Sequence, residues 1–328
     1  MRRVALIFTG GTISMRSSGS GNVPTLRATE LLASVEGLGA LAEIEPIDWG
    51  LVPASHLSFA QVLDIGRILE TQLTRSDIDG AVVVQGTDVM EETAFAWDLL
   101  PLPAKPVIVV GAMRSASQDG YDGPDNLRAA VAAAADPALA SQGVVVAMAG
   151  ELHGADDVRK THTHAYATFQ SPNVGPLGAV AGGQVVLARR RTPMQLPAVP
   201  DAAALPVRIL TSVLDERPLL SEADPAGLVV AATGGGNTPV ALLDLARPLI
   251  ERGRPVLLTT RCPSGRPAPG YGFPGGSTTW WDAGAIFSGT LGPLKSRVLV
   301  ALGAGAGLGP AELTALVEPY GGGSIRDR

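Results

Sequence analysis

VALIFTGGTISM, residues 4–15, decides the fold. Apolar residues Val4 to Phe8 run without a polar break and stop at Thr9-Gly10-Gly11-Thr12. A continuous apolar run of this length, closed by small residues, reads as a strand buried on both faces, the kind found in parallel sheets. The same pattern returns in AVVVQGTD (81–88), PVIVVGAM (106–113), GVVVAMAG (143–150), GLVVAATGGG (227–236) and PVLLTT (255–260). Between several of these runs lie helical periods. Ser58 and Gln61 have the spacing of a capping box, followed by Phe59, Val62, Ile65 and Leu69 at near-helical intervals through Leu73. Val89–Leu99 and Asp125–Ala135 follow suit.

Strand–helix alternation through about residue 140 predicts an α/β protein built on a doubly wound, mostly parallel sheet. After Gly150 the pattern alternates polar and apolar residues around Gly154, which predicts a hairpin. TPMQLPAVPDAAALP, residues 192–206, carries four prolines and no period. The expected organisation is a catalytic α/β domain over 1–191, a linker over 192–206 and a second, smaller α/β domain over 207–328.

Composition narrows the function. The 328 residues are 46% hydrophobic and only 4% aromatic, so the core must be largely Val, Leu, Ile and Ala. A net charge of −6 with no concentrated basic face argues against nucleic acid. The run Arg189-Arg190-Arg191 reads as a solvated linker flank. Cys262 is the lone cysteine, which excludes an internal disulfide framework and fits a reducing compartment. The apolar run after Arg2-Arg3 is too short for a secretory core, and no run approaches a membrane span, so a cytoplasmic protein is expected.

In open α/β sheets ligands bind beyond the carboxyl ends of the parallel strands, so chemistry is sought at Thr9–Thr12, Gln85–Asp88 and Gly111–Arg114. TGGT is not a dinucleotide fingerprint: its glycines are adjacent, and SMRSSGSGNVPT after it reads as a loop rather than a helix. No P-loop lysine follows either. In QGTDVMEET, Thr87 and Asp88 have a plain reading as helix caps and a functional one as site groups on the same sheet edge as Thr12. Lys160, among acids, reads as a surface ion pair. Buried, it would lose proton affinity by desolvation and serve as a base, with Asp88 opposing that shift. His162 and His164, with Asp156 and Asp157 nearby, lack a convincing third ligand for a metal, and no G-x-S-x-G elbow is present.

Taken together, TGGTI, ASH (54–56), VVVQGTDVMEETAF (82–95), PVIVVGAMRS (106–115), DGPDNLRAAV (122–131), VRKTHTHAYATFQSPNVGPLG (158–178), GGGNTP (234–239) and FSGTLGPLKSRVLVAL (287–302) resemble the bacterial-type L-asparaginases. The resemblance spans nearly the whole chain, in order. It implies an amidohydrolase that converts L-asparagine to aspartate and ammonia through a threonine nucleophile and an acyl-enzyme, with no metal or organic cofactor. Thr12 matches the nucleophile; Thr87, Asp88 and Lys160 match the second hydroxyl–acid–lysine group. Ser55 and Asp88 match the groups that grip the amino-acid end of the substrate. Gly11, Thr87 and Ala112 match positions whose backbone surrounds the amide, with Gly86 and His56 among the substrate-binding positions.

Asn237 matches a residue donated by a neighbouring subunit, which implies a homodimer or homotetramer. The same core occurs in an amidotransferase subunit that supplies ammonia to a tRNA-linked substrate, and a non-catalytic amino-acid sensor on this scaffold is the other alternative. Many relatives carry a tyrosine in the loop after the nucleophile and a glutamate that orients it. Residues 13–29 hold no Tyr and GGSTTWWDAG no matching Glu, so Tyr121 and Tyr271 stand as substitutes without a place. His56 stands where an amide-bearing residue is usual, which bears on the choice between Asn and Gln.

Overall fold

The computed structural model describes residues 1–18, 21–24, 26–215, 218–220 and 224–323. Two compact units divide the chain, Met1–Met194 and Gln195–Arg328.

In the first unit the strands are β1 (Arg3–Phe8), β2 (Met15–Ser18), β3 (Gly21–Pro24), β4 (Glu43–Asp48), β5 (Gly80–Val84), β6 (Val107–Val110), β7 (Val144–Met148), β8 (Glu151–Gly154), β9 (Arg159–Lys160), β10 (Phe169–Gln170), β11 (Gly178–Ala181) and β12 (Gln184–Leu187). The helices are α1 (Ala28–Ala33), α2 (Leu38–Leu41), α3 (Phe59–Thr74), α4 (Met90–Asp98) and α5 (Gly123–Ala135). Eight strands form one sheet in the order β12-β11-β8-β7-β6-β5-β1-β4. β4, β1, β5, β6 and β7 pair in parallel, and β8, β11 and β12 extend the sheet antiparallel.

Alternate residues of each central strand feed opposite faces. Val4, Leu6, Phe8, Val82, Val84, Ile108 and Val110 pack with Leu31, Leu127, Ala130 and Val131 from α1 and α5. On the other face α3 and α4 cover the sheet, and the buried Trp97 indole donates to the Val62 carbonyl at 2.8 Å. Both faces being covered is why these strands are apolar throughout. The expected doubly wound sheet is thus present. The capping box is present as well: the Ser58 hydroxyl accepts from Gln61 N at 3.3 Å, and Gln61 Oε1 accepts from Ser58 N at 3.0 Å.

Several local expectations need correction. The stretch after Thr12 is not an irregular loop, because β2 and β3 pair as an antiparallel hairpin. Gly154 does not sit at a hairpin turn: β7 and β8 turn at Ala149-Gly150, both at positive φ (52° and 79°), and Gly154 ends β8. Arg191 is not solvated. Its side chain is 3% exposed and forks onto the fully buried carboxylate of Asp98, with Nη1 3.0 Å from Oδ1 and Nη2 on Oδ2. Nη1 also donates to the Gln142 carbonyl at 2.8 Å, Nε lies 3.2 Å from Asp156, and Val144 N donates to Asp98 at 2.7 Å. Such a bond set compensates two buried charges, and removing one partner strands the other. Arg191→Met is expected to lower unfolding stability by about 3–5 kcal/mol, read from the urea midpoint; a loss below about 1 kcal/mol would show the pair to be dispensable.

The second unit holds β13 (Val207–Thr211), β14 (Gly227–Ala232), β15 (Val256–Thr260) and β16 (Ile286–Phe287), all parallel and in that order. Its helices are α6 (Val240–Glu251), α7 (Ser277–Ala283), α8 (Pro293–Gly305) and α9 (Pro310–Val317). Leu228, Val230, Leu242, Leu258, Trp280 and Phe287 centre its core. The proline-rich stretch is tied down at its end, where Ala204 N donates to the Ala301 carbonyl on α8 at 2.8 Å.

Candidate active site

The chain leaves β1 for β4 on one side and returns through α3 to β5 on the other. The sheet therefore has its topological switch point between β1 and β5, where the crossovers diverge and leave a crevice. Gly10–Thr12 follow β1 and Gln85–Asp88 follow β5, so both threonine segments open onto that crevice edge.

The two threonines of TGGT have different roles. Thr9 is 1% exposed and its hydroxyl donates to the Val84 carbonyl at 3.1 Å, extending the sheet by one bond. Thr12, half-buried, begins a short 3-10 turn, Thr12–Ser14. Gly11 precedes it at φ 100°. A β-carbon on Gly11 would lie 2.3 Å from Gly86 N and 2.6 Å from the Gln85 carbonyl carbon. Only glycine permits both the backbone conformation and the contact. A β-carbon on Gly86 would in turn lie 2.9 Å from that of Ala54, beside Ser55. One on Gly111 would meet the Gln85 carbonyl at 2.7 Å and Thr87 Cγ2 at 3.1 Å.

Bare backbone thus packs the turns after β1, β5 and β6 against one another and brings Gly11, Gly86, Thr87 and the Gly111-Ala112 turn together. Ala54 in the Ala54–His56 turn joins them; Ser55 and His56 in that turn are exposed. Gly11→Ala is expected to push these turns apart and reduce turnover by about a hundredfold. Wild-type kcat in a folded Gly11→Ala protein would show that their contact does not matter.

Gly11, Thr87 and Ala112 are buried. Among the described residues, no protein acceptor is found for the amide N–H of any of the three.

Thr87 and Asp88 do not cap the helix that follows. Val89 is the N-cap residue of α4, and no side chain caps it. Instead Lys160 Nζ donates to Thr87 Oγ1 at 2.9 Å and to Asp88 Oδ1 at 3.3 Å. Thr87 is 5% exposed, the Lys160 side chain 19% and that of Asp88 63%. The lysine arrives on β9, which pairs antiparallel with β10. A simple surface ion pair does not describe it, because Nζ is held on a buried hydroxyl.

Asp122 and Asn126, which were not singled out from the sequence, fix the turn after β6. Asp122 stands at the N-terminus of α5 but reaches back, accepting from Met113 N at 3.0 Å and Arg114 N at 2.9 Å. Asn126 Nδ2 donates to the Gly111 carbonyl at 3.1 Å and to Asp122 at 2.9 Å. The signal available in the sequence was Asp-Gly-Pro at a helix start, where Pro occupies the first turn and frees the acid to bind elsewhere.

Tyr121 also belongs to this unit; its hydroxyl donates to the Ile13 carbonyl at 2.6 Å. Tyr271 belongs to the second unit, half exposed beside Phe273. So does Asn237, whose Oδ1 accepts from Ser277 N at 3.2 Å. His162 and His164 lie between β9 and β10, and His162 Nδ1 accepts from His164 N and Ala165 N at 3.0 Å. Among the described residues, no group of three or more His, Cys, Asp or Glu is arranged to hold a metal. No described helix is long and apolar enough to cross a membrane.

Hydroxyl side chains, closely packed backbone and a lysine held on a hydroxyl, all at the switch point of a doubly wound sheet, are the parts from which an acyl-transfer site is built. The family profile described as "Asparaginase, N-terminal" matches residues 3–193, and "Glutaminase/Asparaginase C-terminal domain" matches residues 207–317. The chain is 36% identical over 307 residues to a "Probable L-asparaginase" of Deinococcus radiodurans, covering 91% of each protein. It is 33% identical over 312 residues to a "Probable L-asparaginase periplasmic" of Haemophilus influenzae, covering 91% of this chain and 87% of that protein. The crystal structure of a "Probable Cytoplasmic L-asparaginase" from Campylobacter jejuni superposes with a TM-score of 0.83 at 27% identity, covering 97% and 99% of the two chains. The chain belongs to the asparaginase family.

Proposed function

We propose that the protein hydrolyses L-asparagine to L-aspartate and ammonia, with Thr12 as nucleophile. The carrying observation is the convergence of the β1, β5 and β6 turns through bare backbone, with the Lys160–Thr87 bond beside them. The Thr12 hydroxyl attacks the side-chain carbonyl carbon, and its proton passes across the Thr87 hydroxyl to Lys160, which acts as the neutral amine. The carbonyl electrons move onto oxygen, where the amides of Gly11, Thr87 and Ala112 stabilise the charge; one such donor is worth roughly 3 kcal/mol of barrier. Collapse expels the nitrogen, which takes the proton held by Lys160 and leaves as ammonia. Water then adds to the Thr12 ester, giving aspartate and the free hydroxyl.

Ser55 and Asp88 serve the amino-acid end of the substrate, with Gly86 and His56 alongside. Asp88 keeps enough exposure (63%) to pair with an incoming ammonium. The chemistry falls within the N-terminal unit. Assembly as a homodimer or homotetramer, with Asn237 donated by a neighbouring copy, belongs to the same reading, as does a cytoplasmic setting. The first test is ammonia release from the purified protein with L-asparagine and L-glutamine supplied separately. Release from L-asparagine is the expected result, and none from either would leave a binding protein.

A further inference from the structure

We propose that Tyr121 is a positioning residue for the nucleophile, holding the turn that presents Thr12 through the Ile13 carbonyl. This rests on Thr12 being the nucleophile, and the test separates the two claims. Successive carbonyls of the turn are each fastened. Gly11 O accepts from Ser14 N at 2.9 Å and from its hydroxyl at 2.8 Å. Ile13 O accepts from Tyr121, Ser14 O from Leu26 N at 3.0 Å, and Met15 O from Ala116 N at 3.2 Å. The bond to Ile13 is made by a side chain 108 residues away in sequence, just before α5.

Tyr121 is well placed to hold that carbonyl rigidly. Its ring lies over Gly123, where a β-carbon would come within 2.4 Å of the ring and the hydroxyl oxygen. The next residue, Asp122, is bonded to the β6 turn and to Asn126. Burial and the nearby Asp122 charge push the phenol up to about 12, so it remains a donor at any ordinary assay pH. On its other side the segment is pinned to the hairpin that carries Lys160. Tyr166 donates to the Gly120 carbonyl at 2.6 Å, Arg114 donates to the Asp119 carbonyl at 2.6 Å, and the guanidinium lies 4.3 Å from the Tyr166 ring centre. A continuous path of bonds therefore joins the Lys160 hairpin to the Thr12 turn. Near-attack geometry tolerates little error, since a displacement of about 1 Å costs on the order of a hundredfold in rate.

The test is Tyr121→Phe in the full-length protein, which removes only the hydroxyl, with Gly123→Ala as a second variant that displaces the ring. Steady-state kinetics on L-asparagine are combined with rapid-quench mass spectrometry of the acylated peptide. The expected result for each folded variant is kcat and acylation lowered roughly ten- to a hundredfold, KM within about twofold, and the adduct still on Thr12. Acylation of Thr12 at the wild-type rate in Tyr121→Phe would overturn the positioning role while leaving Thr12 as nucleophile. An equal loss in kcat/KM carried entirely by KM would overturn it too. An adduct on a different residue would instead remove the reading on which the proposal rests. Should Tyr121→Phe fail to fold, Gly123→Ala decides: wild-type kcat there would count against the proposal.

Discussion

Thr12→Ala is expected to abolish turnover, lowering kcat on L-asparagine by at least about a thousandfold while binding of L-aspartate stays within a few fold of wild type. The size follows from what is lost and what remains. Without Oγ there is no atom to form the ester, and only water delivered to the same turns can react. The converging turns and their unpaired amides survive the substitution, because Gly11, not Thr12, makes the contact with Gly86. Residual rate from backbone stabilisation alone is therefore expected above the uncatalysed background. Thr12 is half-buried and begins a one-turn helix, so its methyl and hydroxyl contribute little to stability. Calorimetry with L-aspartate and an ammonia assay separate the two effects; a Thr12→Ala protein that still releases ammonia at the wild-type rate would end the proposal.

The second large effect is expected at Lys160. Lys160→Met keeps an unbranched side chain of similar length but removes the donors that reach Thr87 at 2.9 Å and Asp88 at 3.3 Å. General acid–base groups contribute about 10²- to 10⁴-fold, and a fall in kcat of that order is predicted. A structural ion pair would behave otherwise. Because Asp88 is 63% exposed, its attraction to the lysine is screened, and such pairs contribute only about 0–1 kcal/mol. The prediction is a collapse of kcat with a melting temperature shifted by no more than a few degrees. Lys160→Arg is not expected to rescue, since a planar fork cannot replace a point donor seated on one hydroxyl. Loss of stability in proportion to loss of rate would assign Lys160 to the fold rather than to the reaction.

Much of the molecule was legible beforehand, and the exceptions share one cause. Val4–Phe8, Ala81–Val84 and Val107–Val110 announce buried parallel strands because both faces are covered by helices, and no alternation is needed. Ser58 and Gln61 announce a helix start because the capping box is local. Arg191 misled because its partner Asp98 stands 93 residues away, and a run of arginines gives no hint that one of them is buried. Thr87-Asp88 was ambiguous for the same reason: helix caps and site groups use the same residue types, and the lysine that distinguishes them comes from 73 residues further on. Tyr121 and Asp122 act across the sheet edge on Ile13 and Met113, contacts that no spacing rule encodes. What the glycines of TGGT approach, Leu51 for Gly10 and Gly86 and Gln85 for Gly11, is likewise supplied only by the fold.

The most direct measurement is rapid-quench mass spectrometry of the wild-type protein mixed with L-asparagine, followed by peptide mapping of the acylated residue. The account predicts a β-aspartyl ester on the peptide carrying Thr12, formed before the second ammonia-releasing turnover and removed as water reacts. An ester on the peptide carrying Thr87, or turnover with no covalent adduct at any time point, would contradict it.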